Sequence, residues 1–235
     1  SQSSAGALRL WSTSSLKGLW LEGNFRMSLR LCDISISAGD FSIAKVNLHV
    51  ERGEHVVLMG PTGCGKTLLL ETICGLRPPD SGRIHACDRD ITEESPALRG
   101  LGYVPQDGAI FASMRVRDQI GFPLRIRRKG NGSSPRVQEV AKLVGIEHLL
   151  DRGPRGLSGG ERQRLALARA IVFKPGLILL DEPMSALDDY TRDRLVPVLK
   201  DVRSATGASV LHVTHSATEA QRLADRIVNL QEITE

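Results

Sequence analysis

Apolar residues recur through one early stretch at Leu29, Leu31, Ile34 and Ile36, then at Ile43, Val46, Leu48 and Val50. That pattern predicts strands with one buried face, punctuated as turns by Gly39-Asp40 and Arg52-Gly53. His55-Val56-Val57-Leu58-Met59 is a short apolar strand, and Thr67 to Leu76 then reads as a helix stopped by Pro78-Pro79. Residues 80–104 give short strands and turns. From Ala109 to about Gly153 the pattern is mostly helical, broken by the polar loop Arg127 to Pro135, and Gly156 to Phe173 carries a strong helix. Leu177-Ile178-Leu179-Leu180 is apolar at every position, as a parallel strand buried on both faces requires. A helix from about Thr191 to Ala205, a strand Ser209 to Val213, a helix Ser216 to Ala224 and a strand Arg226 to Leu230 follow. Strands alternating with helices predict an α/β fold built on a parallel sheet.

Composition narrows this only a little. With 235 residues, 41% hydrophobic and 25% charged, the chain has the makeup of one large globular domain, or of a core with an inserted subdomain. A net charge of +4 is too modest to imply a polyanionic partner. No apolar run approaches the roughly 20 residues that cross a bilayer, so membrane work would need a second, spanning chain. Cys32, Cys64, Cys74 and Cys87 have neither zinc spacing nor a disulfide framework, which points to a reducing compartment. Residues 1–26, rich in Ser, Gly and Leu, are set aside from fold reasoning as a leader or expression remnant expected to be disordered.

The chemistry concentrates in three places. Gly60-Pro61-Thr62-Gly63-Cys64-Gly65-Lys66-Thr67 follows a strand and opens a helix. Its glycines allow backbone N–H groups to wrap phosphates, Lys66 can reach the β- and γ-phosphates of ATP, and the Thr67 hydroxyl can bind Mg²⁺. Asp181-Glu182 ends the apolar strand, where parallel sheets bind ligands. Asp181 suits a Mg²⁺ contact, and Glu182 can act as general base toward water. Leu157-Ser158-Gly159-Gly160-Glu161-Arg162-Gln163-Arg164 contains a capping box, Ser158 with Glu161, and its glycine-rich helix start also suits phosphate.

Together these residues resemble the nucleotide-binding subunit of an ABC transporter over Met27 to Leu230. Further family features appear in order: Gln106 in Val104-Pro105-Gln106-Asp107, Ser185-Ala186-Leu187-Asp188 as a D-loop, and His215 ending Val213-Thr214-His215. The resemblance implies a P-loop NTPase (RecA-like) core over 27–235, with an N-terminal antiparallel β subdomain and an inserted helical subdomain at about 107–156. It implies that two such domains sandwich two ATP molecules, each held by Lys66 and Thr67 of one copy and by Ser158, Gly159 and Gly160 of the other. Gln106 would join the Mg²⁺ shell and sense the γ-phosphate, and His215 would hold that phosphate and position Glu182. The adenine-stacking aromatic has one good candidate, Phe41.

The implied function is that of an ATPase bound peripherally at the cytoplasmic face of the cell membrane. It would energise solute import through separate transmembrane permease subunits, with a solute-binding protein as an indirect partner. Leu149-Leu150-Asp151-Arg152, Arg194 to Leu199 and His215-Ser216 are similar to molybdate-type oxyanion importers. Competing readings are a soluble family member acting on DNA or ribosomes, and an export or lipoprotein-release ATPase. Against the soluble reading, the chain carries neither a long coiled-coil insertion nor a second ATPase domain. The run Arg125, Arg127, Arg128 and Lys129 has no interleaved aromatics and reads as a solvated loop, so no nucleic-acid partner is expected. Pro197 is expected to kink its helix.

Overall fold

The computed structural model describes residues 27–127 and 134–234. The segment 1–26, and Arg128 and Lys129 of the basic run, lie outside the described residues. The chain opens with a hairpin of β1 (Met27–Ala38) and β2 (Phe41–Glu51), whose eight predicted apolar positions are all buried. Their spacing slips from two to three residues at Leu31/Ile34 and again at Ile43/Val46. The structure shows why: the register shifts between Leu31 and Ile34, with Asp33 (φ 50°) and Lys45 (φ 49°) in the left-handed region. Asn47 braces this bulge, accepting from the Asp33 N–H and donating to the Asp33 carboxylate and the Lys45 carbonyl. Paired bulges keep the apolar side chains on one face while the ribbon bends.

The hairpin belongs to an antiparallel sheet of order β2-β1-β4-β5, with β4 at Ser81–Ala86 and β5 at Arg89–Asp90. A second sheet is wholly parallel and runs β6-β7-β8-β3-β9. Its strands are β3 (His55–Met59), β6 (Gly102–Val104), β7 (Leu177–Asp181), β8 (Ser209–Val213) and β9 (Arg226–Asn229). Every residue of β7 and β8 is buried. Leu177 and Leu179 face the cluster formed with the antiparallel sheet and helix α1 (Lys66–Cys74), whereas Ile178 and Leu180 face the helices on the other side. An all-apolar strand is what such a two-sided position demands.

A four-residue helix, α2, spans Pro96–Arg99. The insertion after β6 holds α3 (Val116–Ile126), α4 (Pro135–Leu143) and a 3₁₀ turn at Glu147–Leu149. They share one apolar cluster with α5 (Gly159–Ile171). Residues 109–115 are not helical, contrary to the pattern's suggestion. Ala109 sits at φ 43°, and the fully buried Gln119 side chain binds the Phe111 N–H and carbonyl and the Met114 carbonyl. That side chain takes the place of helical backbone partners. Helix α6 (Asp189–Thr206) runs uninterrupted across Pro197, and α7 (Ala217–Leu223) leads into β9. Where it is described, the basic run is exposed at Arg125, as expected, and half-buried at Arg127. The Arg127 guanidinium lies 3.9 Å over the Phe173 ring, and that of Arg125 lies 5.2 Å from the Phe122 ring.

Candidate functional site at the carboxyl end of the parallel sheet

Parallel pairing decides where the candidate residues meet. Val213 aligns with Leu58 on one side and with Asp181 on the other, so three strands end level. The loop 60–65 leaves from β3, Asp181-Glu182 from β7 and Thr214-His215 from β8. Val104 aligns with Leu180, which brings Pro105-Gln106 to the same edge.

The loop returns to helix at Gly65, whose φ of 95° is left-handed. A Cβ at Gly65 would overlap Ile43 Cδ1 and fall 2.8 Å from Phe41 Cε1, so the glycine is required twice. The same closeness sets Phe41, which is 39% exposed, at the border of the loop. Lys66 opens α1 and is buried; its ammonium donates to the carbonyls of Gly60 and Pro61 at 2.8 and 2.9 Å. Pro61, Thr62 and Gly63 are exposed. Cys64 is half-buried, with its sulfur 4.0 Å from the Lys66 ammonium, whereas Cys74 is buried in α1.

Thr67 Oγ1 donates to Asp181 Oδ1 at 3.0 Å across the sheet edge. Asp181 is 1% exposed and also accepts from the Tyr103 hydroxyl at 3.4 Å. Burial pushes the Asp181 carboxyl above its ordinary range, and the charge of Glu182 adds to the rise; the Thr67 and Tyr103 hydrogen bonds pull the other way. Burial and the nearby Asp181 also push the Tyr103 phenol upward, so it stays a donor. Tyr103 escaped the sequence reading because its motif neighbours, Pro105 and Gln106, carry the signal. The hard oxygens of Thr67 and Asp181 fit Mg²⁺, which favours oxygen donors and keeps much of its shell for water and phosphate. A cation there would favour the ionised Asp181 that burial opposes.

Glu182 sits at φ 44°, a strained conformation for a residue with a Cβ, and is tied down by its N–H to the Val213 carbonyl at 2.9 Å. Its carboxylate meets His215, whose Nδ1 lies 3.1 Å from Glu182 Oε2. Gln106 Nε2 donates to Ser185 Oγ at 3.3 Å, and that hydroxyl donates to the Glu182 carbonyl at 3.0 Å. Gln106 is therefore joined to the Glu182 backbone through Ser185, and no hydrogen bond among the described residues joins it to Thr67 or Asp181.

Ser158 caps α5 as predicted: its Oγ accepts from Glu161 N–H at 3.3 Å, while Glu161 Oε2 accepts from Ser158 N–H at 2.7 Å. This hydrogen bond holds the Glu161 carboxyl below its usual range. The glycines after it lie against the start of α6. A Cβ on Gly159 would meet Leu187 Cδ2 at 3.1 Å, and one on Gly160 would meet Thr191 Cγ2 at 2.6 Å. Ser158, Gly159 and Gly160 make no hydrogen bond to residues 60–67 among the described residues. One chain thus brings together Lys66, Thr67, Asp181, Glu182 and His215, and carries its second phosphate-type helix start elsewhere.

The chain is similar to known proteins both in sequence and in fold. A sequence model of the ABC transporter family matches residues 43–185. The molybdate/tungstate import ATP-binding protein WtpC of Thermococcus kodakarensis is 47% identical over 86% of this chain, which spans 61% of that protein's length. The WtpC of Archaeoglobus fulgidus is 46% identical over 78% of this chain and 76% of its own. Among solved structures, a dimeric ATP-binding cassette in a post-hydrolysis state with ADP and phosphate superposes with a TM-score of 0.75, at 28% identity, over 86% of this chain and 93% of that one. No helix among the described residues is long and apolar enough to cross a membrane. The chain belongs to the ABC transporter family, as one of its ATP-binding domains.

Proposed function

We propose that this chain hydrolyses ATP at a site shared between two copies and so energises uptake of a small solute through a separate transmembrane permease. The observation that carries the reading is the contact of His215 with Glu182 beside Asp181 and the Lys66 loop. In this reading Lys66 and the backbone of Gly60, Pro61, Thr62, Gly63, Cys64 and Gly65 hold the phosphates, and Phe41 stacks on adenine. Thr67, Asp181 and the amide oxygen of Gln106 hold Mg²⁺, which when bound neutralises phosphate charge. Glu182 accepts a proton from the attacking water, and His215 orients Glu182 and the terminal phosphate. Ser158, Gly159 and Gly160, turned toward α6 in their own chain, serve the nucleotide of the second copy.

Residues 27–235 act as one ATPase domain, with the helices at about 107–156 as the part that meets the permease from the cytoplasmic face. A solute-binding protein takes part only through the permease. The names of the two WtpC relatives support a tetrahedral oxyanion such as molybdate or tungstate as solute. Affinity purification of the chain from its native membranes tests the whole proposal. Recovery of a membrane-spanning partner whose ATP turnover rises with molybdate supports it. Recovery without such a partner, with turnover stimulated by DNA or ribosomes, contradicts it.

A further inference from the structure

Two Ser-x-x-Glu boxes occur in this chain, and they close differently. In the first, Glu161 reaches back to the backbone of its own N-cap, Ser158. In the second, Ser216 caps α7 and accepts from the Glu219 N–H at 3.3 Å, but the Glu219 carboxylate does not return to Ser216. It turns inward, is 3% exposed, and accepts from the Thr214 hydroxyl at 2.7 Å. The Ser216 N–H donates to that same hydroxyl at 3.1 Å. Thr214 has thus been inserted into the box, and the two residues flanking His215 are locked to each other through it.

The other side of Glu219 faces the start of α6. Arg192 Nε lies 3.7 Å from Glu219 Oε1, beyond hydrogen-bond reach, and is one of the buried polar atoms left without a hydrogen bond among the described residues. Its remaining nitrogens hold the Leu187 carbonyl at 2.9 Å and the Asp189 carboxylate at 2.7 Å. His212 Nε2 is likewise unbonded, 3.7 Å from Glu219 Oε2. Burial, with His55 adding to it, holds the His212 imidazole down to about 3, so that ring is neutral and Arg192 is the cation facing Glu219. Glu219 thus has one firm side-chain hydrogen bond, to Thr214, and faces two buried nitrogens that stand 3.7 Å away without partners of their own, which leaves slack on its side toward the 187–192 segment.

We propose that Glu219 is a positioning residue for hydrolysis, a buried carboxylate that joins the 187–192 segment to the strand end that carries His215. It acts on His215 through Thr214, and its loose contact to Arg192 lets a shift of Leu187 and Asp189 change that hold. The inference rests on the hydrolytic reading of Glu182 and His215 given above.

The test measures steady-state ATP hydrolysis by the full chain carrying Glu219→Ala, Glu219→Gln, Thr214→Val or Glu182→Gln. Glu219→Ala and Thr214→Val should each lower kcat roughly tenfold with the ATP KM within about twofold, because they misplace a group that acts on the bound nucleotide. The double variant should be no worse than the poorer single one. Glu219→Gln keeps an acceptor for Thr214 and should recover a large part of the rate. If Glu219→Ala does not fold, Thr214→Val, which removes only one hydroxyl, carries the same comparison. Wild-type kcat in both, with Glu182→Gln inactive, overturns the role of Glu219 alone. Wild-type turnover in Glu182→Gln overturns the hydrolytic reading and this inference with it.

Discussion

Thr67 Oγ1 and Asp181 Oδ1 lie 3.0 Å apart, although 114 residues separate them in the chain. Strand β8 lies between the strands they follow, so their meeting depends on three strands ending level at Leu58, Val213 and Asp181. Asp181 is nearly inaccessible and has two hydroxyl donors, Thr67 and Tyr103. Replacing Thr67 with Val should therefore raise the Mg²⁺ concentration needed for half-maximal ATP turnover by about tenfold or more, the worth of one charge-assisted hydrogen bond or ligand. A Mg²⁺ titration of turnover checks this; an unchanged midpoint removes Thr67 from the metal site.

Helix α1 delivers Lys66 and Thr67, and Arg99 closes its far end. That guanidinium is buried and donates at 2.8 Å to the carbonyls of Thr72, Ile73, Thr92 and Glu94. Arg99→Met should lower unfolding stability by about 3 kcal/mol, since charged donors to several buried carbonyls are lost together. Urea denaturation gives the number directly. A loss under about 1 kcal/mol would mean that the carbonyls find other partners.

Ser158 has two candidate duties that one substitution can separate. Aspartate caps helices as serine does, but here it would also lose the bond from Ser158 Oγ to Glu161 Oε2 at 2.9 Å and face that carboxylate, so Ser158→Asp should lower the melting temperature modestly while the protein stays folded. Its negative charge would face the phosphates of the partner's nucleotide, so ATP-dependent dimerisation in size-exclusion chromatography should disappear. Retained dimerisation would leave Ser158 as a helix cap only.

The parallel strands, the phosphate loop and Asp181-Glu182 could be read from the chain because each is a local pattern: an apolar run, glycines at fixed offsets, acids at a strand end. The slipped spacing at Ile34 and Val46 was also visible, but its cause was not, since a bulge is defined by the partner strand. Tyr103 and Ser185 reach Asp181 and Gln106 only through strand pairing and a tight turn, and nothing in their own neighbourhoods announces it. The same holds for residues 109–115, where the helix pattern gives way to the buried Gln119 amide. Local periodicity carries no information about a side chain that satisfies backbone from eight residues away.

Acid sensitivity should begin earlier than carboxylates alone would set it. Burial holds His55 down to about 4 and His212 down to about 3, from an ordinary 6.5. Above that value both rings are neutral in both states and stability is complete. As the pH falls below it, the unfolded chain takes up protons that the folded chain refuses. Stability then falls by up to about 1.4 kcal/mol per pH unit for each ring. His212→Gln removes one of these groups, so its unfolding free energy should decline less steeply than wild type between about pH 6.5 and 5. Parallel slopes would show that His212 takes up its proton in the folded state as readily as in the unfolded one.

The most direct measurement is phosphate release from ATP by the purified chain with Glu182 replaced by Gln, set beside ATP binding by the same protein. Glutamine keeps the shape and the contact with His215 but cannot accept the proton from water. Release should fall roughly 100-fold or more, while ATP affinity stays within a few-fold of wild type and the ATP-bound dimer persists. Release at the wild-type rate would contradict the assignment of Glu182 as the base, and with it the shared hydrolytic site at this sheet edge.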